Sequence, residues 1–224
     1  MSHSVRKHLR VEVNEYDAQI RRLIPAYETM IAVAADAVAA VGPNLVVDLG
    51  AGTGGLSEPL LARRGVGTVE LLDIDPEMLD TARRRLERFG DRVRFRLRSY
   101  DGPLPPCDAF AASLSLHHIP TIEAKAALYA QAFSALRPGG VLVNADTNMP
   151  TNRAKRDRLF RYWANHMVAR GIPEDRAWQY FDEWADEDTY MPLEAELAEL
   201  TRSGFEAARV WNDGPEGVVV ARKP

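Results

Sequence analysis

Between residues 45 and 147 the chain alternates strand and helix patterns, and that alternation restricts the fold more than any other feature. The stretches "NLVVDLG", "TVELLDI", "RVRFRLRS", "CDAFAASLSL" and "GVLVNADT" are strand-like. Helical stretches such as "GGLSEPLLARRG", "PEMLDTARRRLERFG" and "EAKAALYAQAFSALRPGG" separate most of them. Strands spaced in this way pair in parallel through right-handed crossovers, with helices on both faces of the sheet. "NLVVDLG" is nearly all apolar, as burial on both faces requires. In the third strand Val93, Phe95 and Leu97 alternate with Arg94, Arg96 and Arg98, which places it at a sheet edge guarded by charge. After residue 147 the alternation stops. Three helices are expected in "TNRAKRDRLFRYWANHMVARG", "PEDRAWQYFDEWADED" and "PLEAELAELTRSG". The strands "FEAARVWND" and "GVVVARK" then follow, joined by "GPE". A linker that short carries no crossover helix, so this pair is antiparallel.

The 224 residues suffice for one such domain with an insertion. Two helices precede the first strand, in "EVNEYDAQIRRLIPAYETMIAVAADAVAAVG", with Pro25 expected in the first turn of the second. A net charge of −4 argues against a dedicated nucleic-acid surface. The single cysteine, Cys107, excludes an internal disulfide. The opening "MSHSVRKHLRVEVNEYD" lacks the apolar core of a signal peptide, and no apolar run is long enough for a bilayer. A cytoplasmic location is expected.

The turn after the first strand, "DLGAGTGG", holds the chemistry. Its glycines fit two spacings: Gly50, Gly52 and Gly55 match the dinucleotide fingerprint, whereas Gly50, Gly52 and Gly54 match a different one, so the turn alone leaves a hydride carrier and a methyl donor both open. A glycine turn leading into a helix lets a ligand approach the backbone. Asp48, two residues before Gly50, is awkward beside a pyrophosphate and natural beside a cation. The donor S-adenosylmethionine carries a sulfonium and an ammonium, and no phosphate. A phosphate-binding loop is excluded because no Gly-Lys-Ser/Thr follows. Asp73 ends the second strand, where it can accept from ribose hydroxyls. Asp101 follows the third strand, at the carboxyl edge where open α/β sheets hold ligands.

In order, "VVDLGAGTG", "ELLDIDPEMLDTAR", "RSYDGPLP", "SLSLHHI" and "LRPGGVLV" resemble the motifs of class I S-adenosylmethionine-dependent methyltransferases. The resemblance is strong over residues 45–147 and looser through the final hairpin. It implies a Rossmann-like seven-stranded sheet of order 3-2-1-4-5-7-6 with strand 7 antiparallel. It further implies that Asp48, Gly50, Gly52 and Gly54 line the methionine and ribose part of the donor. Asp73 would bind the ribose and Ile74 would pack on the adenine. Asp101 and Gly102 would hold the adenine edge, and Ser113 and Leu114 would approach the methionine moiety. The leader "YDAQIRRLIPAY" resembles the helices that close over the donor in small-molecule members. Tyr16 and Arg21 are the candidates there, Arg21 toward the donor carboxylate.

Two histidines follow the fourth strand. His118 is the candidate general base and His117 the weaker one. Asp146 ends the fifth strand on the same cleft, where it is either catalytic or a cap. No metal is expected, because neither an HxxxH pair nor a carboxylate cluster with ligand spacing is present. Residues 148–192 form the expected helical cap, a part of one methyltransferase domain over 1–224 with N-terminal helices in 1–43. The cap holds three of the four tryptophans. Most of its aromatics must glue helices to the sheet, yet an aromatic lid also excludes water and stacks a flat acceptor. Trp163, His166 and Tyr16 are the candidate acceptor contacts. The expected activity is methyl transfer from S-adenosylmethionine to a small molecule, leaving S-adenosylhomocysteine, with no nucleic-acid or membrane partner. The alternatives are a donor-modifying enzyme like the carboxy-S-adenosylmethionine synthase, an RNA methyltransferase using Arg83 to Arg98, and a nicotinamide oxidoreductase.

Overall fold

A computed structural model describes residues 15–224. The opening stretch judged above for a leader, and the first fourteen residues of the 1–43 segment, lie outside the described residues. Helices α1 (Tyr16–Leu23) and α2 (Tyr27–Ala39) lead into β1 (Leu45–Leu49). Then come α3 (Ser57–Ala62), β2 (Thr68–Asp73), α4 (Pro76–Leu86), β3 (Val93–Leu97), β4 (Cys107–Ser113), α5 (Ile122–Ala135) and β5 (Leu136–Thr147). Helices α6 (Arg153–Ala169) and α7 (Glu174–Trp184) form the insertion. Helix α8 (Leu193–Arg202), β6 (Glu206–Asp213) and β7 (Glu216–Arg222) close the chain. The seven strands lie in the order β3-β2-β1-β4-β5-β7-β6. β7 runs antiparallel to both neighbours, and every other pairing is parallel.

The two-residue period of each strand sends alternate side chains to opposite layers. From β1, Val46 joins one layer with Met30 and Ala34 of α2 and Leu60 of α3. Val47 and Leu49 join the other with Leu128 and Tyr129 of α5 and Leu200 of α8. Of the three helices after β5, α8 therefore covers a face of the sheet, whereas α6 and α7 stand above its carboxyl edge. Their aromatic stripe, including Trp163 and Trp184, is continuous with the α1–α2 layer. No helix among the described residues is long and apolar enough to cross a membrane.

Three boundaries and the packing of one strand differ from expectation. Pro25 lies in the turn between α1 and α2 rather than in the second helix, whose N-cap Ala26 has φ +48°. Helix α4 stops at Leu86 and a 3₁₀ segment (Glu87–Arg92) follows, broken at Gly90. β5 begins at Leu136, because the strand takes in "RPGG" through a register shift opposite Cys107 and Ala109. β3 is the edge strand expected from its arginines, but Leu97 is 61% exposed rather than packed. Phe95 is covered instead by the Arg83 guanidinium, 4.5 Å above its ring.

Candidate functional site

One cavity of about 250 Å³ opens at the carboxyl ends of β1, β2 and β4, beneath α1 and the α6–α7 insertion. The floor at one end is the glycine turn. Gly50 takes φ +69°, and a Cβ there would sit 2.7 Å from the Ser115 Cβ, so a side chain is excluded by both conformation and space. Gly52 has φ +54° and meets nothing within 4 Å of a built Cβ. That empty cradle faces the cavity and leaves the backbone open to a ligand. Asp73 stands beside it, half-buried. Its Oδ2 accepts from the Gly52 amide at 2.7 Å and its Oδ1 from the Asp75 amide at 2.9 Å. Burial lifts its carboxyl above the usual range against those two amides. Ile74, Asp101, Ser113 and Leu114 also line the wall, Leu114 with a strained φ of +48°. This open backbone, flanked by carboxylates at two strand ends, fits a nucleoside-bearing donor without phosphate.

Helix α1 forms the lid of that half. Tyr16, Ile20 and Leu23 face the cavity. Burial raises the Tyr16 phenol far above its ordinary value, so it is a neutral hydroxyl. The helix is latched by Asp17, which accepts from Thr53 Oγ1 at 2.7 Å and pairs with Arg85. Arg85 also donates to the Thr53 carbonyl at 3.1 Å, so one arginine on α4 ties the lid to the glycine turn.

The other end belongs to the histidines and the insertion. Asp146 of β5 accepts from the His117 amide at 3.0 Å and lies 2.5 Å from the His117 Nδ1. Burial alone would lower the His117 pKa, but the carboxylates of Asp146 and Asp188 outweigh it and push it up to about 9. Asp146 is held below the usual range by His117, against its own burial. The chain leaving α7 is drawn in by the Thr189 amide, which donates to the His117 carbonyl at 2.7 Å. Asp188 thereby arrives 3.1 Å from His118 Nδ1, and Tyr190 O–H donates to its other oxygen at 2.5 Å. Above them Trp163 is 1% exposed, and its Nε1 donates to the Leu23 carbonyl at 2.6 Å. Its ring packs on Phe181, Trp184 and Tyr190.

Several candidates lie off the cavity wall, each for a physical reason. Asp48 is fully buried under the turn, where Ser57 Oγ donates to it at 2.6 Å, and burial raises it to about 7. Gly54 faces Leu86 and Ala82 and serves the packing of the turn on α4. Gly102 abuts the Arg98 guanidinium instead. Arg21 points outward to Glu28 and to the Asp17 carbonyl. His166 is half-buried on α6 against the Arg21 backbone, and burial lowers its pKa. Asp146 lies behind His117. Within the cap, Arg153 pairs with Asp157 along α6, and Arg176 with Glu183 along α7. Sequence reasoning passed over Asp17, Arg85, Thr53 and Asp188. All four depend on contacts across 32 to 71 residues of chain, which no local spacing announces.

A family of methyltransferase domains matches residues 46–140. An uncharacterised methyltransferase of Geobacillus thermodenitrificans is 32% identical over 166 residues, covering 71% of this chain and 69% of that protein. A demethylmenaquinone methyltransferase of Tropheryma whipplei is 34% identical over 165 residues, 72% of this chain and 66% of its own length. Among solved structures, an O-methyltransferase family protein from Burkholderia thailandensis has a TM-score of 0.69 at 17% identity over 94% of this chain, which spans 59% of that longer protein. An S-adenosylmethionine-bound amino pentose methyltransferase from Micromonospora echinaspora has a TM-score of 0.65 at 20% identity, over 93% of this chain and 96% of its own. At these identities the two structures establish likeness of fold.

Proposed function

The chain belongs to the class I S-adenosylmethionine-dependent methyltransferases, and from that premise we propose that it methylates a small molecule held between the sheet edge and the α6–α7 cap. One observation carries this reading: the same cavity that is lined by Asp73 and Asp101 at the strand ends is lined by Trp163, Trp184 and Tyr190 of the insertion. The first half is occupied by donor-binding groups, which leaves the second for the acceptor. When bound, S-adenosylmethionine would supply an electrophilic methyl on a sulfonium; a nucleophilic atom of the acceptor bonds to that methyl in line with the breaking C–S bond, and S-adenosylhomocysteine leaves with the electron pair.

The residues divide accordingly. Asp73, pre-oriented by two amides, takes the ribose hydroxyls, and Ile74 lies against the adenine. Asp101 takes the adenine edge, with Gly102 shaping its loop. Gly50 and Gly52 admit the methionine portion, toward Ser113 and Leu114. Asp48 and Gly54 support the turn from below. Tyr16 closes the lid. On the acceptor side the aromatic cap excludes water and aligns the reactants, which methyl transfer needs more than it needs a strong base. His118 is the cavity-facing ring placed to take a proton from the acceptor, and Asp146 acts through His117 as a positioning residue. Arg21 and His166 receive no role. The reading treats the chain as one methyltransferase domain, with residues 148–192 as its cap, working in the cytoplasm. The names of the Tropheryma and Micromonospora proteins both denote small acceptors, which supports the class of acceptor.

Methyl-labelled S-adenosylmethionine tests it. The protein is incubated with a metabolite extract and, separately, with total RNA. Label is expected in a low-molecular-weight product. Label in RNA, or in a derivative of the donor itself, overturns the reading.

A further inference from the structure

His117, His118 and Asp188 come together at the acceptor end of the cavity, and all three line its wall. Each offers one ligand atom, and these atoms all lie within 4.8 Å of one another. Asp188 Oδ1 is 3.6 Å from His117 Nε2 and 3.1 Å from His118 Nδ1. We propose that these three side chains hold a first-row divalent transition-metal ion that anchors an oxygen of the acceptor. The inference rests on the acceptor being placed in this half of the cavity.

Two imidazole nitrogens and one carboxylate oxygen suit borderline ions such as Zn²⁺, Fe²⁺ or Co²⁺ better than Mg²⁺ or Ca²⁺, which prefer all-oxygen sites. Three ligands on one side leave coordination positions for water or substrate. The surroundings are those that a metal site requires. A ligating histidine needs its remote ring nitrogen fixed by an acceptor, and Asp146 does this at 2.5 Å from His117 Nδ1, presenting Nε2 to the cavity. A ligating carboxylate needs its second oxygen held, and Tyr190 does this for Asp188 at 2.5 Å. The peptide that carries Asp188 is itself fixed by the bond from the Thr189 amide to the His117 carbonyl. The triad is thus braced from three sides before any ion arrives. In the loaded protein His118 is a ligand rather than a proton acceptor; the ion would lower the pKa of the bound acceptor hydroxyl, whose proton is released to solvent as the acceptor enters, leaving the oxygen held as its anion. The favoured acceptors are enols, phenols or hydroxy acids that present one or two adjacent oxygens.

The full chain, stripped with a chelator and dialysed, is titrated with Co²⁺ alone by calorimetry and visible absorption. One equivalent is expected, with d–d bands of an N/O site. Asp188→Asn, an isosteric change, is expected to weaken Co²⁺ about 100-fold, and Tyr190→Phe about tenfold. S-adenosylhomocysteine titrated into the same samples is expected to bind wild type and Asp188→Asn within about threefold of each other. No Co²⁺ binding to wild-type protein that binds S-adenosylhomocysteine overturns the metal site and leaves the methyltransferase reading intact. Equal Co²⁺ binding by wild type and both variants also overturns it, since the ion then sits elsewhere. Co²⁺ binding without any S-adenosylhomocysteine binding strikes the donor assignment and leaves the metal site standing.

Discussion

The Asp73 carboxylate is hydrogen-bonded to the Gly52 amide at 2.7 Å, so the end of β2 and the glycine turn after β1 form one rigid corner. That bond holds the carboxylate at the cavity wall, where the proposed donor would meet it without further ordering. Asp73→Ala removes both the corner and the charge-assisted bonds to the ribose. Affinity for S-adenosylhomocysteine is expected to fall about 10- to 100-fold, corresponding to about 1.5–3 kcal/mol. Calorimetry on the folded variant checks this. Unchanged affinity would remove Asp73 from the donor site.

The latch formed by Asp17, Thr53 and Arg85 holds α1 over the same corner. Arg85 and Asp17 keep some solvent contact, so the pair is worth less than a buried one. Asp17→Asn is expected to cost about 0.5–1 kcal/mol of stability and to weaken donor binding severalfold, because the lid then opens more readily. Faster hydrogen exchange confined to α1 would accompany it. Exchange unchanged in α1 would show that the latch does not hold the lid.

How much of this was legible in the sequence depended on distance along the chain. Period-two and helical patterns are local, and they placed β1 to β5 in parallel and the last two strands in an antiparallel hairpin. The glycine turn and Asp73 could be found because a strand end followed by a turn fixes a position at the sheet edge. Asp48 was misjudged as a wall residue. Its spacing to Gly50 is local, but whether its side chain points into the cavity or under the turn depends on Ser57 and the α3 packing. His117 and His118 are visible as a pair, whereas Asp188 is one acid among several in "DEWADED", with nothing local to mark it. Only the fold brings it 70 residues back to their rings.

Trp163 bridges the two halves, since its indole N–H donates to Leu23 of the lid while its ring faces the cap aromatics. Trp163→Phe keeps an aromatic ring but leaves the Leu23 carbonyl without that partner. Stability is expected to fall by about 1–3 kcal/mol, and turnover is expected to fall more than donor affinity. Melting temperature, S-adenosylhomocysteine affinity and methylation rate, measured together, separate the effects. Normal turnover in a folded variant would confine Trp163 to the core.

Asp48 gives a pH test. Burial raises its folded pKa to about 7, above the ordinary carboxylate value of the unfolded chain. The folded state therefore binds more protons than the unfolded one between those values, and wild-type stability falls as pH rises toward 7. Asp48→Asn retains an acceptor for Ser57 and removes the titration. Relative to wild type, the variant is expected to gain about 2–4 kcal/mol between pH 4 and pH 8. Urea denaturation at the two pH values measures it. A difference independent of pH would show that Asp48 does not carry this burial penalty.

The central claim is that the Gly50–Asp73–Asp101 edge is a donor site for S-adenosylmethionine, and it is tested most directly by calorimetric titration of the full chain with S-adenosylhomocysteine and, in parallel, NAD. Both ligands carry an adenosine ribose that Asp73 could accept, so only the rest of the site discriminates between them. Binding of S-adenosylhomocysteine to one site per chain, with no heat from NAD, is the result expected from a glycine turn flanked by carboxylates. Saturable NAD binding with no S-adenosylhomocysteine signal would contradict the account.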